Sequence, residues 1–409
     1  MRGLTSQRIV IAALLFLGAV LRFANIGNVS VRSRDEQYYT FQALAWIDAG
    51  PEGLHKQAEF SKLGSTPPPL RVGMIRTIAQ LIRWTGRTDE GAGVPLALAA
   101  SIGALLIAGL IGIRFFPPWA AACGILFYAV SPAALAIARR TWTDAPVELA
   151  SALLLCIACQ ITRDSRRLLW FPMLAVVGSV GITFKEAVLI PYGICGLWII
   201  CVVGIGRRQW RSVALLLGSA IVGLFAITAW TASSVGGWAS LIQIVTGTPV
   251  SLATPYALEC CWGPPNLLLQ SFWIVSPVAA LMSLVGLYAL YAASAPQSVS
   301  AANQPVIRLI ALFGASQIVL AMTMKGWLNL RYLAGTFPSF YLLAGFGFWF
   351  LAVTVQNRIK SRDYALTAVV AVAILIASAV GDYTRFQRVF VRGGLPDLSV
   401  RMIIDSRQQ

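Results

Sequence analysis

Four separate places in the sequence combine acidic and basic side chains at the ends of long apolar segments. They are RSRDEQYYTFQALAW at 32–46, ARRTWTDAP at 138–146, ITFKEAVLIP at 182–191 and NLRYLAGTFP at 329–338. The candidate residues in them are Asp35 and Glu36, then Arg139, Arg140 and Asp144, then Lys185 and Glu186, and finally Arg331. A carboxylate can take up a proton while cations hold a leaving phosphate, so this mixture suits a reaction with a phosphate leaving group.

Each group of charges also has an ordinary structural interpretation. The adjacent carboxylates could be solvated loop charges, the arginine–aspartate group could form salt bridges between helices, and the lysine–glutamate pair could anchor a helix at the membrane interface. The energetic cost of these charges favours a chemical role over the structural ones, because a charge near the bilayer centre costs about 2.5 to 3.5 kcal/mol on insertion scales. Charges at the ends of membrane spans are therefore usually kept for use or for pairing.

The composition indicates that these charges are positioned by a membrane-embedded scaffold. Of the 409 residues, 57% are hydrophobic and only 12% are charged, whereas about a quarter of the residues in soluble proteins are charged. The 32 basic and 16 acidic residues leave a net charge of +16, which in a membrane protein more often reflects loops that face anionic headgroups than nucleic-acid binding. A soluble fold is excluded, and no nucleic-acid partner is expected.

The apolar runs define the elements. A helix that crosses a hydrocarbon core of about 30 Å needs about 20 apolar residues. Such runs lie at 9–28, 94–113, 117–137, 145–162, 168–184, 187–206, 212–235, 269–293, 309–324, 332–355 and 365–381. The sequence therefore predicts an all-α integral membrane protein with about eleven transmembrane helices, of which the first is an uncleaved signal anchor.

The orientation follows from the cations in the short connecting segments. With the N-terminus in the cytoplasm, the segments on that side carry thirteen cations, and the short segments on the other side carry five: Arg139, Arg140, Lys185, Lys325 and Arg331. Basic short loops stay cytoplasmic. We therefore expect a multi-pass protein of the cytoplasmic (inner) membrane whose candidate residues lie on the extracytoplasmic, periplasmic side.

The longer segments complete the predicted organisation, with a single membrane domain at 1–381 and a short extracytoplasmic tail at 382–409. The first extracytoplasmic loop, 29–93, contains the amphipathic stretch 72–84, which suits a helix lying in the interface or an ordinary connecting helix. A second extracytoplasmic loop at 236–268 could be a lid or acceptor platform, or a packed surface loop.

Taken together, the motifs resemble the GT-C superfamily of membrane glycosyltransferases, particularly the branch with protein O-mannosyltransferases and the lipid A aminoarabinose transferase. The resemblance rests on DEQYY after the first run, TPPPL at 66–70, RRTWTD at 139–144, FKEAVLIP at 184–191 and RYLAGTFP at 331–338. It implies a GT-C-like helical bundle with juxtamembrane helices in the first extracytoplasmic loop. It also implies a lateral, lipid-accessible cavity and sugar donors carried on a polyprenyl or dolichyl phosphate.

The same resemblance implies roles for the candidate residues. Asp35 is similar to the family's catalytic aspartate, and Glu36 beside it would support the geometry or the acceptor. The residues implied in donor-phosphate binding are Arg331, Lys185, Arg139 and Arg140, and those in support are Asp144, Glu186 and Tyr38. The expected function is inverting transfer of a sugar from a polyprenyl-phosphate donor to a hydroxyl of an acceptor protein, lipid or glycan.

Cofactors and two other functions stay open at this point. No cofactor is certain, although carboxylates alone could bind Mg²⁺ or Mn²⁺. One alternative function is a flippase or transporter for a lipid substrate, and another is a non-catalytic GT-C-like membrane subunit. Transporters usually show inverted repeats and broken helices at the bilayer midplane, and the sequence shows neither pattern.

Overall fold

The computed structural model describes residues 2–24, 26–29, 31–61, 68–247, 264, 266–291, 300, 303–323, 329–358, 364–395 and 398–405. Within these ranges the chain is almost entirely helical, and the pairing of Asn329 with Ser399 is an isolated antiparallel bridge outside any strand. The predicted all-α membrane fold is confirmed.

The helices follow one another along the chain with short connections. They are α1 Arg2–Ala24, α2 Arg34–Ser61, α3 Val72–Thr85, α4 Val94–Phe115, α5 Pro118–Ala129, α6 Pro132–Ala138, α7 Asp144–Arg163, α8 Trp170–Phe184, α9 Leu189–Ile199, α10 Trp210–Ser234, α11 Trp238–Gly247, α12 Asn266–Val275, α13 Pro277–Tyr291, α14 Gln304–Thr323, α15 Phe337–Arg358, α16 Tyr364–Phe386 and α17 Val400–Asp405. Short 3₁₀ turns precede α9 and α15, at Glu186–Val188 and Leu330–Thr336, and π-helical turns extend α9 and α16, at Ile200–Gly206 and Gln387–Arg392.

The predicted number of about eleven membrane spans is not confirmed in the described part of the chain. In the described part of the chain, 8 helices are long and apolar enough to cross a membrane, or up to 10 if two bent pairs each count as one span. The pairs are α5 with α6, bent by 55°, and α12 with α13, bent by 116°, and α8 is a shorter apolar helix. Each of the eleven apolar runs is largely helical over its described residues, but a proline at the start of α6 and of α13 lacks the N–H that a continuous helix would use.

Two helices of the first loop lie beside the bundle. The helix predicted at 72–84 is present as α3, and it buries one apolar face, including Met74, Ile75 and Ile78, against the apolar side of α2. Gly50, with φ +57°, interrupts α2 just before Pro51. This left-handed backbone conformation costs glycine little. Helix α2 can therefore change direction at Gly50, while its first turn, which carries Asp35, stays at the end of the bundle.

The C-terminal segment is packed against the bundle. Helix α16 continues through the boundary predicted at residue 382, and Phe390, Leu398 and Ile403 belong to the same buried apolar cluster as the spans. The N–H of Leu330 donates to the carbonyl oxygen of Leu398 at 3.0 Å. The segment after α11, which contains Tyr256 and Trp262 of the predicted second loop, lies outside the described residues, as do Thr66 and Lys325.

The centre of the bundle depends on close approach of backbones at glycine. A Cβ added to Gly345 on α15 would lie 2.2 Å from the backbone nitrogen of Gly124 on α5 and 2.3 Å from the carbonyl oxygen of Ala120. Small residues let membrane helices approach until their backbones are in contact. The α5–α15 crossing therefore requires the absence of a side chain at both glycines.

We expect Gly345→Ala to lower the thermal unfolding temperature of the purified protein, because the added methyl group must push two backbones apart, at a cost of about 1 to 3 kcal/mol. Gly196→Ala is the matched control, since no atom lies within 4 Å of a Cβ placed at that helical position. Equal unfolding temperatures for the two variants would contradict this packing.

Candidate active site

Asp35 and Arg331 form an ion pair between the start of the first loop helix and the turn that precedes α15. Asp35 lies in the first turn of α2, and one of its oxygens, Oδ2, is 2.7 Å from Nη2 of Arg331. The Arg331 side chain is 9% exposed and the Asp35 side chain is 35% exposed. The carboxylate is thus held by a buried cation while remaining open to a ligand.

A second carboxylate extends this pair into a chain of alternating charges. Asp144 begins α7, and its Oδ1 accepts a hydrogen bond from Lys185 Nζ at 2.7 Å, while its Oδ2 lies 3.9 Å from Nε of Arg331. The Lys185 ammonium also lies 4.9 Å from the ring centroid of Tyr332, a cation–π contact. We call Asp35, Arg331, Asp144 and Lys185 the central cluster.

Arg71 joins the border of this cluster and was not among the residues predicted from the sequence. Its Nη2 and Nε donate to the two oxygens of Glu186 at 2.6 and 3.0 Å, the bidentate geometry that a guanidinium favours. Its Nη1 donates to the hydroxyl oxygen of Tyr39. Arg71 therefore joins α2 to the turn before α9 at the edge of the central cluster.

The structure brings Tyr39 to the site, whereas the sequence analysis named Tyr38. Residues four positions apart share a helix face, so Tyr39 lies one turn after Asp35 on the same face of α2. Tyr38 contributes no hydrogen bond or ring contact to the cluster among the described residues. Two features of the sequence could have identified Tyr39 and Arg71. Tyr39 stands four positions after Asp35, and Arg71 stands directly after the proline turn.

Glu36 points away from Asp35 into the protein. It is fully buried, and its carboxylate accepts hydrogen bonds from Arg32 Nη1 at 2.8 Å, Arg140 Nη1 at 3.0 Å, and the backbone N–H groups of Ser33 at 2.8 Å and Thr141 at 3.0 Å. A carboxylate has about four acceptor positions, and all of them are used. Its environment therefore suits a positioning role.

Arg140 and Arg139 extend this buried network toward the C-terminal segment. Arg140 also donates to the carbonyl oxygens of Val31 at 2.6 Å and Leu395 at 2.9 Å. Arg139 donates to the carbonyl oxygens of Asn28 and Phe390. Both arginines thus hold backbone segments around the site, whereas Arg331 and Lys185 are the predicted phosphate-binding residues that lie in the central cluster.

The cations keep Asp35 ionised. Burial raises the pKa of Asp35, but the attraction of Arg331 and of Arg71, and the hydrogen bond from Arg331, outweigh it and hold the pKa below its ordinary value. Asp35 is consequently a carboxylate at neutral pH. It can accept a proton, and its basicity depends on how tightly Arg331 holds it.

The donor set of the cluster suits an anion better than a divalent cation. Within the described ranges, no group of three or more His, Cys, Asp or Glu side chains could hold a metal ion. Asp35 and Asp144 are each already paired with a side-chain cation. Guanidinium and ammonium groups are the usual ligands of phosphate.

Part of the chain is similar in sequence to a known family. Residues 67–231 match the family model of dolichyl-phosphate-mannose-protein mannosyltransferases. This match covers the segment from the proline turn through α10, which includes Arg71, Asp144 and Lys185. No curated protein matches the chain by sequence.

Solved structures of similar fold cover almost the whole chain. ArnT from Cupriavidus metallidurans bound to undecaprenyl phosphate matches with a TM-score of 0.59 at 15% identity, over 98% of this chain and 76% of ArnT. AglB, an oligosaccharyltransferase from Archaeoglobus fulgidus, matches with a TM-score of 0.60 at 12% identity in its complex with an inhibitory peptide and a dolichol-phosphate, over 93% of this chain and 55% of AglB. An A. fulgidus oligosaccharyltransferase in complex with Zn and sulfate matches with a TM-score of 0.55 at 11% identity, over 92% of this chain and 53% of that chain.

This chain has the GT-C fold. The fold expected from the resemblance of its motifs to the GT-C superfamily is thereby confirmed. The chain spans about half the length of AglB and about three quarters of ArnT. At these identities the structural likeness establishes the architecture, and the chemistry has to be argued from the site.

The different surroundings of the two adjacent carboxylates lead to a stability prediction. We expect Glu36→Gln to reduce the free energy of unfolding by about 3 to 5 kcal/mol, because removing one partner of a buried ion pair leaves the other charge uncompensated. Asp35→Asn, at a partly exposed position, should change stability much less. The measurement is thermal unfolding of the purified variants in detergent. An Asp35→Asn variant less stable than the Glu36→Gln variant would contradict the positioning role of Glu36.

Proposed function

We propose that this protein is an inverting glycosyltransferase that moves a sugar from a polyprenyl-phosphate donor to an acceptor hydroxyl. The observation that carries the proposal is the central cluster, where a partly exposed carboxylate lies against a buried arginine beside a lysine. Two further facts support it: ArnT was solved with undecaprenyl phosphate and AglB with a dolichol-phosphate and a peptide. A lipid phosphate suits a cation pair at the end of a membrane bundle.

In the proposed reaction Asp35 is the general base. A carboxylate oxygen of Asp35 takes the proton of the acceptor hydroxyl while that oxygen attacks the anomeric carbon of the sugar. The bond between the anomeric carbon and the phosphate oxygen breaks on the opposite face, so the configuration inverts. The polyprenyl phosphate leaves as a stable anion, and no general acid is needed.

Arg331 and Lys185 would hold the phosphate as negative charge develops on its bridging oxygen. The planar guanidinium of Arg331 can donate to two phosphate oxygens, and Lys185 acts as a point charge. By analogy with an oxyanion-hole donor, each well-placed group contributes about 3 kcal/mol to the transition state. Arg71, paired with Glu186 at the border of the cluster, adds positive potential nearby.

Donor binding would also prepare the base. In the structure Arg331 is paired with Asp35 at 2.7 Å. A phosphate competes with Asp35 for the Arg331 guanidinium and adds negative charge nearby, and both changes raise the pKa of Asp35. The carboxylate of Asp35 therefore becomes a stronger base when the donor is bound. It is a weaker base toward the acceptor hydroxyl when the donor is absent.

Asp35→Asn should lower kcat for sugar transfer by about 10²- to 10⁴-fold, the usual contribution of a general base. The assay measures transfer of radiolabelled sugar from polyprenyl-phosphate donors by membranes containing equal amounts of each variant. Asp48→Asn is the matched control, since Asp48 is an exposed carboxylate on the same helix. Transfer by Asp35→Asn at the wild-type rate removes Asp35 from the mechanism. Movement of donor lipid across the membrane without transfer would favour the transporter alternative.

Arg331→Ala should weaken donor binding by about tenfold or more, because a hydrogen bond to a charged group is worth about 1.5 to 3 kcal/mol. The KM for the donor should rise more than the KM for the acceptor. Arg358→Ala is the control, since Arg358 is an exposed cation at the far end of α15, the helix that begins beside Arg331. An unchanged donor KM contradicts a phosphate role for Arg331.

A further inference from the structure

A second candidate binding site lies apart from the central cluster. A cavity of about 380 Å³ opens between the start of α6, the bend that joins α12 to α13, and the end of α16. This volume lies within the range of about 300 to 1,000 Å³ that is typical of ligand pockets. None of the residues that line it belongs to the central cluster, so a ligand here would be a different molecule, or a different part of one, from the donor phosphate.

The lining of the cavity is apolar on one side and cationic on the other. Trp273, Ile274, Val389 and Phe390 contribute apolar surface, and the side chains of Arg385 and Arg388 complete the wall. Hydrocarbon and a guanidinium group meeting in one cavity match an amphiphile with a negatively charged head. A purely apolar ligand would leave the cations unused, and a small anion would leave the apolar wall unused.

The charge of this wall is only partly compensated. Arg385 Nη1 pairs with Oδ1 of the buried Asp382 at 2.7 Å. Arg388, three residues later, is exposed and has no carboxylate partner in the described part of the chain. One positive charge is therefore available to an anion at the rim, and a planar guanidinium suits the oxygens of a phosphate.

The cavity lies at the same end of the bundle as the central cluster. The carbonyl oxygen of Phe390, in its wall, accepts a hydrogen bond from Arg139, next to the residue that holds Glu36. The arginines come at the end of the apolar span Ala365–Arg392. Long basic side chains near the ends of membrane helices extend to the interface, where lipid headgroups lie.

We propose that this cavity binds the phosphate-bearing headgroup of an anionic amphiphile. Arg388 and Arg385 contact the phosphate oxygens, and the hydrocarbon begins along Trp273, Ile274 and Val389. The site is formed by α6, α12, α13, α16 with the π-helical turn that extends it, and α17, and it does not depend on the sugar-transfer activity.

Binding can be measured on the full chain in detergent with dioctanoyl phosphatidic acid as the probe. We expect Arg388→Gln to weaken this binding about tenfold, which corresponds to about 1.4 kcal/mol. Arg392→Gln is the matched control, because Arg392 is exposed on the same π-helical turn but does not line the cavity. Val389→Trp, which fills the cavity, should also lose binding. Asp35→Asn should bind the probe as tightly as the wild type, whatever its transfer activity.

Two further probes separate the sources of the phosphate. Dioctanoyl phosphatidylcholine, with the same chains but no net charge, should bind at least tenfold more weakly, and inorganic phosphate should compete only at much higher concentration. Equal binding by Arg388→Gln and Arg392→Gln overturns the proposal, as does equal binding of the two lipids. Inorganic phosphate that competes as well as the lipid overturns the role of the apolar wall.

Discussion

The geometry of the candidate site depends on one buried carboxylate. Glu36 gathers four donors, two of them from Arg32 and Ser33 just ahead of it and two from Arg140 and Thr141, more than a hundred residues later. This fixes the first turn of α2 against the connection between α6 and α7. Because Asp35 precedes Glu36 directly, the same contacts orient Asp35 outward toward Arg331.

The network around Glu36 extends to the C-terminal segment. Arg140 holds the carbonyl oxygen of Leu395, and Arg139 holds that of Phe390. The backbone pairing of Leu330 with Leu398 then joins this segment to the turn that carries Arg331. The position of Arg331 therefore depends on chain segments at both ends of the protein.

The charges of the central cluster and its border nearly cancel one another. Asp35, Asp144 and Glu186 balance Arg331, Lys185 and Arg71 by direct pairing. Burying charges without partners is expensive, so such pairing stabilises the buried charges of the site. In the proposed reaction the donor phosphate must compete with a carboxylate for its cations. Part of the donor's binding energy is thereby used to make Asp35 a stronger base. This accelerates the reaction only if the contacts between the cations and the phosphate are stronger in the transition state than in the bound donor.

The sequence by itself determined the membrane class, the helical fold and the motifs at the ends of the spans, because hydropathy and charge are local properties that can be read along the chain. Asp35, Asp144, Lys185 and Arg331 were named from their positions alone, and the structure brings them together. Only the tertiary structure decided that Glu36 faces inward, that Arg139 and Arg140 hold backbone, and that Arg71 and Tyr39 join the site. It also decided which apolar runs bend, since proline permits a bend and packing against neighbouring helices sets its angle. These outcomes depend on contacts between distant segments, where the direction of a side chain is set by the fold as a whole.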